Sequence, residues 1–156
     1  MRPDLQSATE FLGGVMPGHA SDWWIIGSAA MAIAGLDVTP EDVDVMASEQ
    51  TIMTVLETLG VKPLPPSADP LFRSSVFARC DAPGGLRIEF MGGFHVKAGG
   101  QWRPVTVRTR YEVRGEAGAV FIPDLPEQID ILELFGRPKD LRRAKMIRDF
   151  LDNGAL

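Results

Sequence analysis

The 156-residue sequence predicts an α+β fold, a mixed β-sheet backed by helices. Three observations carry that expectation. Short runs rich in β-branched and aromatic residues alternate with helix-length segments in the first half of the chain. Glycine and proline punctuate the boundaries between them. Two amphipathic helical segments close the chain, after at least two strands in succession, an order that suits a mixed sheet.

The elements follow in order. Ser7–Gly13 reads as a short helix with Ser7 as cap and Gly13-Gly14 as stop. Asp22–Ile26 is a compact apolar run and reads as a buried strand, with Trp23 and Trp24 as core and sheet-packing residues. Ala29–Gly35 is rich in Ala and Met and reads as a helix ended by Gly35. Asp42–Ala47 (DVDVMA) alternates polar and apolar residues, the period of a strand. Ser48 then caps a helix that runs to Leu59 and stops at Gly60.

Residues 62–70 hold four prolines and form a loop. Phe72–Cys80 and Leu86–Met91 read as strands joined by a turn at 81–85. The glycine-rich segments 92–100 and 115–118 read as flexible loops and candidate lids. Val105–Arg114 alternates again, as a partly exposed strand, and Val120–Ile122 is a short strand stopped by Pro123. Asp124–Phe135 and Lys139–Leu151 form the closing helical pair, with Pro126 in the first turn of the first and Gly136 just beyond its end. The whole chain, 1–156, reads as one domain, with a core at about 20–95 and the helical pair at about 124–152.

Composition narrows the function classes. Sixteen basic against 21 acidic residues give a net charge of −5, which disfavours a protein that coats nucleic acid non-specifically. Cys80 is the only cysteine, so an intramolecular disulfide and a cysteine-based zinc site are excluded; it reads as a buried strand residue. The first residues lack the apolar stretch of a secretory leader, and the run Trp23–Leu36 is too short and too interrupted to span a bilayer. A cytoplasmic location without membrane contact is the expectation. His19 and His95 are single, unclustered histidines.

The chemistry gathers at Asp42 and Asp44. Two residues apart on a strand, both carboxylates point to one face while Val43 and Val45 point to the other. Adjacent carboxylates repel unless a cation lies between them, and Mg²⁺ prefers such hard oxygen ligands. With 21 acidic residues in 156, roughly three acidic-x-acidic pairs arise by chance, so the pair alone carries little. Its context carries more. A strand ends at Gly27-Ser28, a helix follows at once, and the acidic pair opens the next strand. Gly27 lets the backbone approach a phosphate, and the helix start at Ser28-Ala29 offers N–H groups to an anion.

The run Gly27–Gly35 followed by Asp42-Val43-Asp44-Val45 resembles the nucleotidyltransferase superfamily, in particular its small bacterial toxin-type and antibiotic-modifying members. Residues 121–129 and 135–140 look like the closing helices of these proteins, and the likeness covers most of 22–151. The resemblance implies the nucleotidyltransferase fold and a third carboxylate on a neighbouring strand, for which Glu89 is the match. It implies Asp42, Asp44 and Glu89 as catalytic residues and ligands of two Mg²⁺ ions, with an NTP as substrate. Gly27 and Ser28, with Lys139 from a basic segment that also holds Arg137, Arg142, Arg143, Lys145 and Arg148, are the candidate nucleotide contacts.

The implied reaction moves a nucleoside monophosphate to a hydroxyl on a small molecule, a protein or a tRNA. Nucleic acid enters only as such an acceptor. A homodimer mate or a separate antitoxin are the partners it leaves open. A catalytically silent domain that binds a nucleotide or a partner is the alternative. Two departures stand out. The third carboxylate is Glu where Asp is commoner, and Leu36–Glu41 lacks the basic residue that many relatives carry before Asp-x-Asp.

Overall fold

The structure is a computed structural model, and it describes residues 1–18, 20 and 22–154. Its chain order is α1 (Pro3–Val15), β1 (Trp24–Ile26), α2 (Gly27–Ile33), β2 (Asp42–Ala47), α3 (Glu49–Leu59), β3 (Phe72–Arg73), β4 (Val76–Asp81), β5 (Arg87–Gly92), β6 (His95–Ala98), β7 (Gln101–Pro104), β8 (Tyr111–Arg114), β9 (Ala119–Ile122), α4 (Leu125–Phe135) and α5 (Pro138–Asp152). This is the α+β architecture that the sequence predicts.

The central sheet has the order β1-β2-β5-β4. β2 and β5 run parallel, and β1 and β4 flank them antiparallel. Val43, Val45, Ile88, Phe90 and Ala78 alternate onto one face and are fully buried. There they meet Leu5, Ala8 and Leu12 of α1 and Ile52, Val55 and Leu56 of α3. The other face of the same strands carries Asp42, Asp44 and Glu89. The strand alternation thus separates core from chemistry.

The α4–α5 pair lies elsewhere. Leu132 and Ile129 of α4 pack with Ala144 and Ile147 of α5 and with Met31 of α2. Phe135 at the end of α4 packs on Phe72 and Phe94, beside Met46 and Met91. The helical pair therefore flanks the polar half of the sheet.

Two helix ends obey local rules. The Ser48 hydroxyl accepts the Thr51 N–H at 3.2 Å, and Gly60 leaves α3 with φ +68°. The Asp124 side chain accepts the Glu127 N–H at 2.8 Å, and Gly136 ends α4 with φ +72°.

Several expectations need correction. α1 begins at Pro3 and continues through Gly13-Gly14, so Ser7 is not its cap. Pro3 suits a first helical position, and Gly13 serves packing: a Cβ there would lie 3.0 Å from the carbonyl of Gly118. Segment 115–118 is tied down, since the Glu10 carboxylate accepts the N–H groups of Glu116 and Ala117 at 3.1 and 2.9 Å. Segment 92–100 contains the end of β5 and all of β6, which turns through Gly99-Gly100 into β7.

Phe72–Cys80 is not one strand. It passes from the β3-β6-β7 sheet to the central sheet at Ser74-Ser75, beside the point where β5 gives way to β6 at Gly93. Only Tyr111–Arg114 of the expected strand 105–114 pairs, and it pairs with β9. The Arg108 and Thr109 N–H groups go instead to the Glu127 carboxylate, at 2.8 and 2.7 Å, so no ladder forms there.

Trp23 is buried, while half-buried Trp24 donates its indole N–H to Thr109 O at 2.9 Å. Cys80 is half-buried rather than buried, and desolvation, then the Asp81 charge, pushes its thiol pKa up. His19 lies outside the described residues. No helix among the described residues is long and apolar enough to cross a membrane.

Candidate active site

One rung of the central sheet organises the site. Ile26 of β1 stands opposite Asp44 of β2, Asp44 opposite Glu89 of β5, and Glu89 opposite Arg79 of β4. Partners in register share a face, so Asp44, Glu89 and Arg79 project to the same side. Asp42 joins them two residues before Asp44. Carboxylate oxygens of Asp42, Asp44 and Glu89 all lie within 4.8 Å of one another. Among the described residues, no other three His, Cys, Asp or Glu side chains gather in this way.

Such crowding has an electrostatic cost. The Asp44 pKa is pushed up to about 7, first by burial, then by the charges of Asp42 and Glu89. Arg143 and Lys139 pull it the other way. Burial and two like charges together thus disfavour the charged form of Asp44 in the metal-free protein. Three hard oxygen donors gathered on one face of the sheet suit a divalent cation of the Mg²⁺ type. Arg79 offsets part of the charge, with Nε 3.6 Å from Glu89 Oε1.

The cluster opens into a cleft of about 630 Å³. The cleft brings together every predicted site residue: Gly27, Ser28, Asp42, Asp44, Glu89 and Lys139. Gly27 begins α2 directly after β1, with φ +74° and no side-chain cap, so the helix starts two residues earlier than expected. The missing Cβ is used here, because a methyl group on Gly27 would sit 3.3 Å from Asp44 Oδ2.

Lys139 reaches the site from the first turn of α5. That turn is fixed by Asp140, which is fully buried and accepts from Arg137 Nε at 2.6 Å, Nη2 at 3.0 Å and N at 3.1 Å. Arg137 also stacks over Phe72, 4.8 Å from the ring centroid.

The basic segment therefore divides. Arg137 holds the helix start, Lys145 pairs with Asp149 and Arg148 with Glu133 on the outside, and Lys139 and Arg143 face the acidic cluster. Arg143 adds a cation beyond the expected contacts. Its signal was the i,i+4 spacing to Lys139, which places both on one helix face. Arg73 and Arg79, from β3 and β4, also line the cleft. Positive charge, absent from Leu36–Glu41, thus reaches the cleft from distant parts of the chain.

No protein-family model and no curated protein sequence matches the chain. Solved structures do. A "putative nucleotidyltransferase" from Thermotoga maritima superposes with a TM-score of 0.64 and 20% identity, over 86% of this chain and 85% of that one. The antibiotic-resistance factor ANT(2'')-Ia aligns with a TM-score of 0.42 and 12% identity, over 86% and 76%. By its likeness to the Thermotoga structure, the chain has the nucleotidyltransferase fold.

Proposed function

We propose that this chain is a Mg²⁺-dependent nucleotidyltransferase, moving a nucleoside monophosphate from an NTP to an acceptor hydroxyl. The observation that carries the reading is the joint placement, in one cleft, of three carboxylates within 4.8 Å of one another and the cations Lys139 and Arg143 facing them. A fold alone hosts many functions; this constellation matches the charge pattern of phosphoryl transfer.

Asp42, Asp44 and Glu89 are the residues that would hold the metal. The chemistry Mg²⁺ supplies there is charge neutralisation on the triphosphate and a lowered pKa for the attacking hydroxyl. Lys139 and Arg143 bind the phosphates and stabilise charge that develops on the leaving group. Gly27 and Ser28 form the wall along which the phosphates lie, and the bare Cα of Gly27 allows close approach. The acceptor oxygen bonds to the α-phosphorus as the bond to pyrophosphate breaks, and the hydroxyl proton passes to the Glu89 carboxylate.

The test incubates the protein with Mg²⁺, each NTP labelled on its α-phosphate, and pools of RNA, protein and small hydroxyl compounds. Label on an acceptor together with released pyrophosphate, both abolished in Asp42→Asn, supports the reading. Absence of both transfer and NTP binding overturns it.

A further inference from the structure

We propose that the outer face of the β3-β6-β7 sheet binds a single-stranded nucleic-acid end and leads its terminal hydroxyl toward the cleft, an acceptor assignment that rests on the transfer reading above. The register defines this face. Arg73 stands opposite His95, and Lys97 opposite Trp102. His95 and Lys97 are two residues apart on β6, so all four side chains share one side. The alternate residues Phe72 and Val96 turn inward and pack with Phe94 and Phe135.

The outer side has the two features that a single strand requires, cations for phosphates and an aromatic surface for bases. The Arg73 guanidinium lies 4.4 Å from the Trp102 ring centroid, and the Lys97 ammonium 5.9 Å from it. Arg73 and Lys97 are exposed and Trp102 is half-exposed. Among the described residues, neither cation pairs with a carboxylate. Two unpaired cations stacked on one indole are conspicuous in a chain of net charge −5.

The face is continuous with the site, because Arg73 also lines the cleft that holds the acidic cluster. A polycationic acceptor such as an amino sugar would be repelled here. A polyanion with flat bases is complementary in both charge and shape.

The experiment measures fluorescence anisotropy of a short labelled oligouridylate with the full chain, at low salt and in EDTA without NTP. The wild type is expected to bind, and Trp102→Ala to weaken binding at least about fivefold. Trp102→Phe, which keeps a stacking surface, should restore most of the affinity. Arg73→Ala and Lys97→Ala should each flatten the dependence of log affinity on log salt by about 0.7. No binding by the wild type, binding unchanged in Trp102→Ala, or equal binding of a duplex of the same length would overturn the inference.

Thermal shift of the same proteins by NTP with Mg²⁺ separates the two readings. A shift without oligonucleotide binding sinks only this inference. Oligonucleotide binding that follows the variant pattern, without any NTP shift, upholds the surface and removes the transfer reading.

Discussion

The Cβ that Gly27 lacks would stand 3.3 Å from Oδ2 of Asp44. The strand-to-helix turn and the acidic cluster are therefore one unit, and a change in the first alters the second. Gly27→Ala places a side chain at φ +74° and crowds the carboxylate. It should cost about 1–2 kcal/mol of stability in urea unfolding, and Mg²⁺-dependent NTP binding should weaken with it.

Asp44 should make the metal-free protein pH-sensitive. Its folded pKa is raised from 3.8 to about 7. Below the unfolded value both states hold the proton, and no stability is lost. As pH rises from about 4 to 7 the unfolded chain releases the proton while the folded chain resists, so stability falls. The loss is up to about 4 kcal/mol at neutral pH. Melting curves of wild type and Asp44→Asn in EDTA should nearly coincide at pH 4 and separate by pH 7, with the Asn variant more stable. Curves that stay parallel across this range would contradict the cluster's electrostatics.

Asp140 tests the support beneath Lys139. Its buried carboxylate fixes the first turn of α5 through three hydrogen bonds from Arg137. Asp140→Ala leaves a half-buried guanidinium without its partner and should cost about 2–3 kcal/mol. Nucleotide affinity should fall as well, even though Asp140 itself needs no ligand contact. Chemical denaturation and NTP titration of the same variant measure both effects.

Lys139 and Arg143 should act on the nucleotide directly. Lys139→Ala and Arg143→Ala are each expected to weaken NTP binding about tenfold, or about 1.4 kcal/mol, with little change in folding. The same substitutions remove the charges that hold the Asp44 pKa down, so the melting curves should still part near pH 4 but go on separating to a higher pH, with a larger final gap. Isothermal titration with NTP and Mg²⁺ provides the first readout.

Much of the site was legible because its signals are local. Alternation in Asp42–Ala47 places both Asp carboxylates on one face without further information. Ser48, Gly60, Asp124 and Gly136 announce their helix ends through backbone geometry that only a few residue types satisfy. Glu89 came from resemblance, and the parallel register of β2 with β5 places it beside Asp44.

What the sequence hid depends on long-range contacts. Nothing local reveals that Gly13 packs on Gly118, so a glycine pair reads as a helix stop. The alternation of 105–110 reads as a strand, because the Glu127 carboxylate that takes its N–H groups lies 18 and 19 residues away. Arg143 shares a helix face with Lys139, but only the docking of α5 beside the sheet shows that this face meets the acidic cluster.

The central claim is that Asp42, Asp44 and Glu89 form a metal-nucleotide site. Thermal unfolding of wild type and Asp44→Ala, with each NTP in the presence and absence of Mg²⁺, tests it most directly. An NTP at 100 times its dissociation constant should stabilise the wild type by ~2.7 kcal/mol with Mg²⁺, and should shift neither the wild type without Mg²⁺ nor the variant. Two folded proteins that no NTP shifts, with Mg²⁺ present, would contradict it.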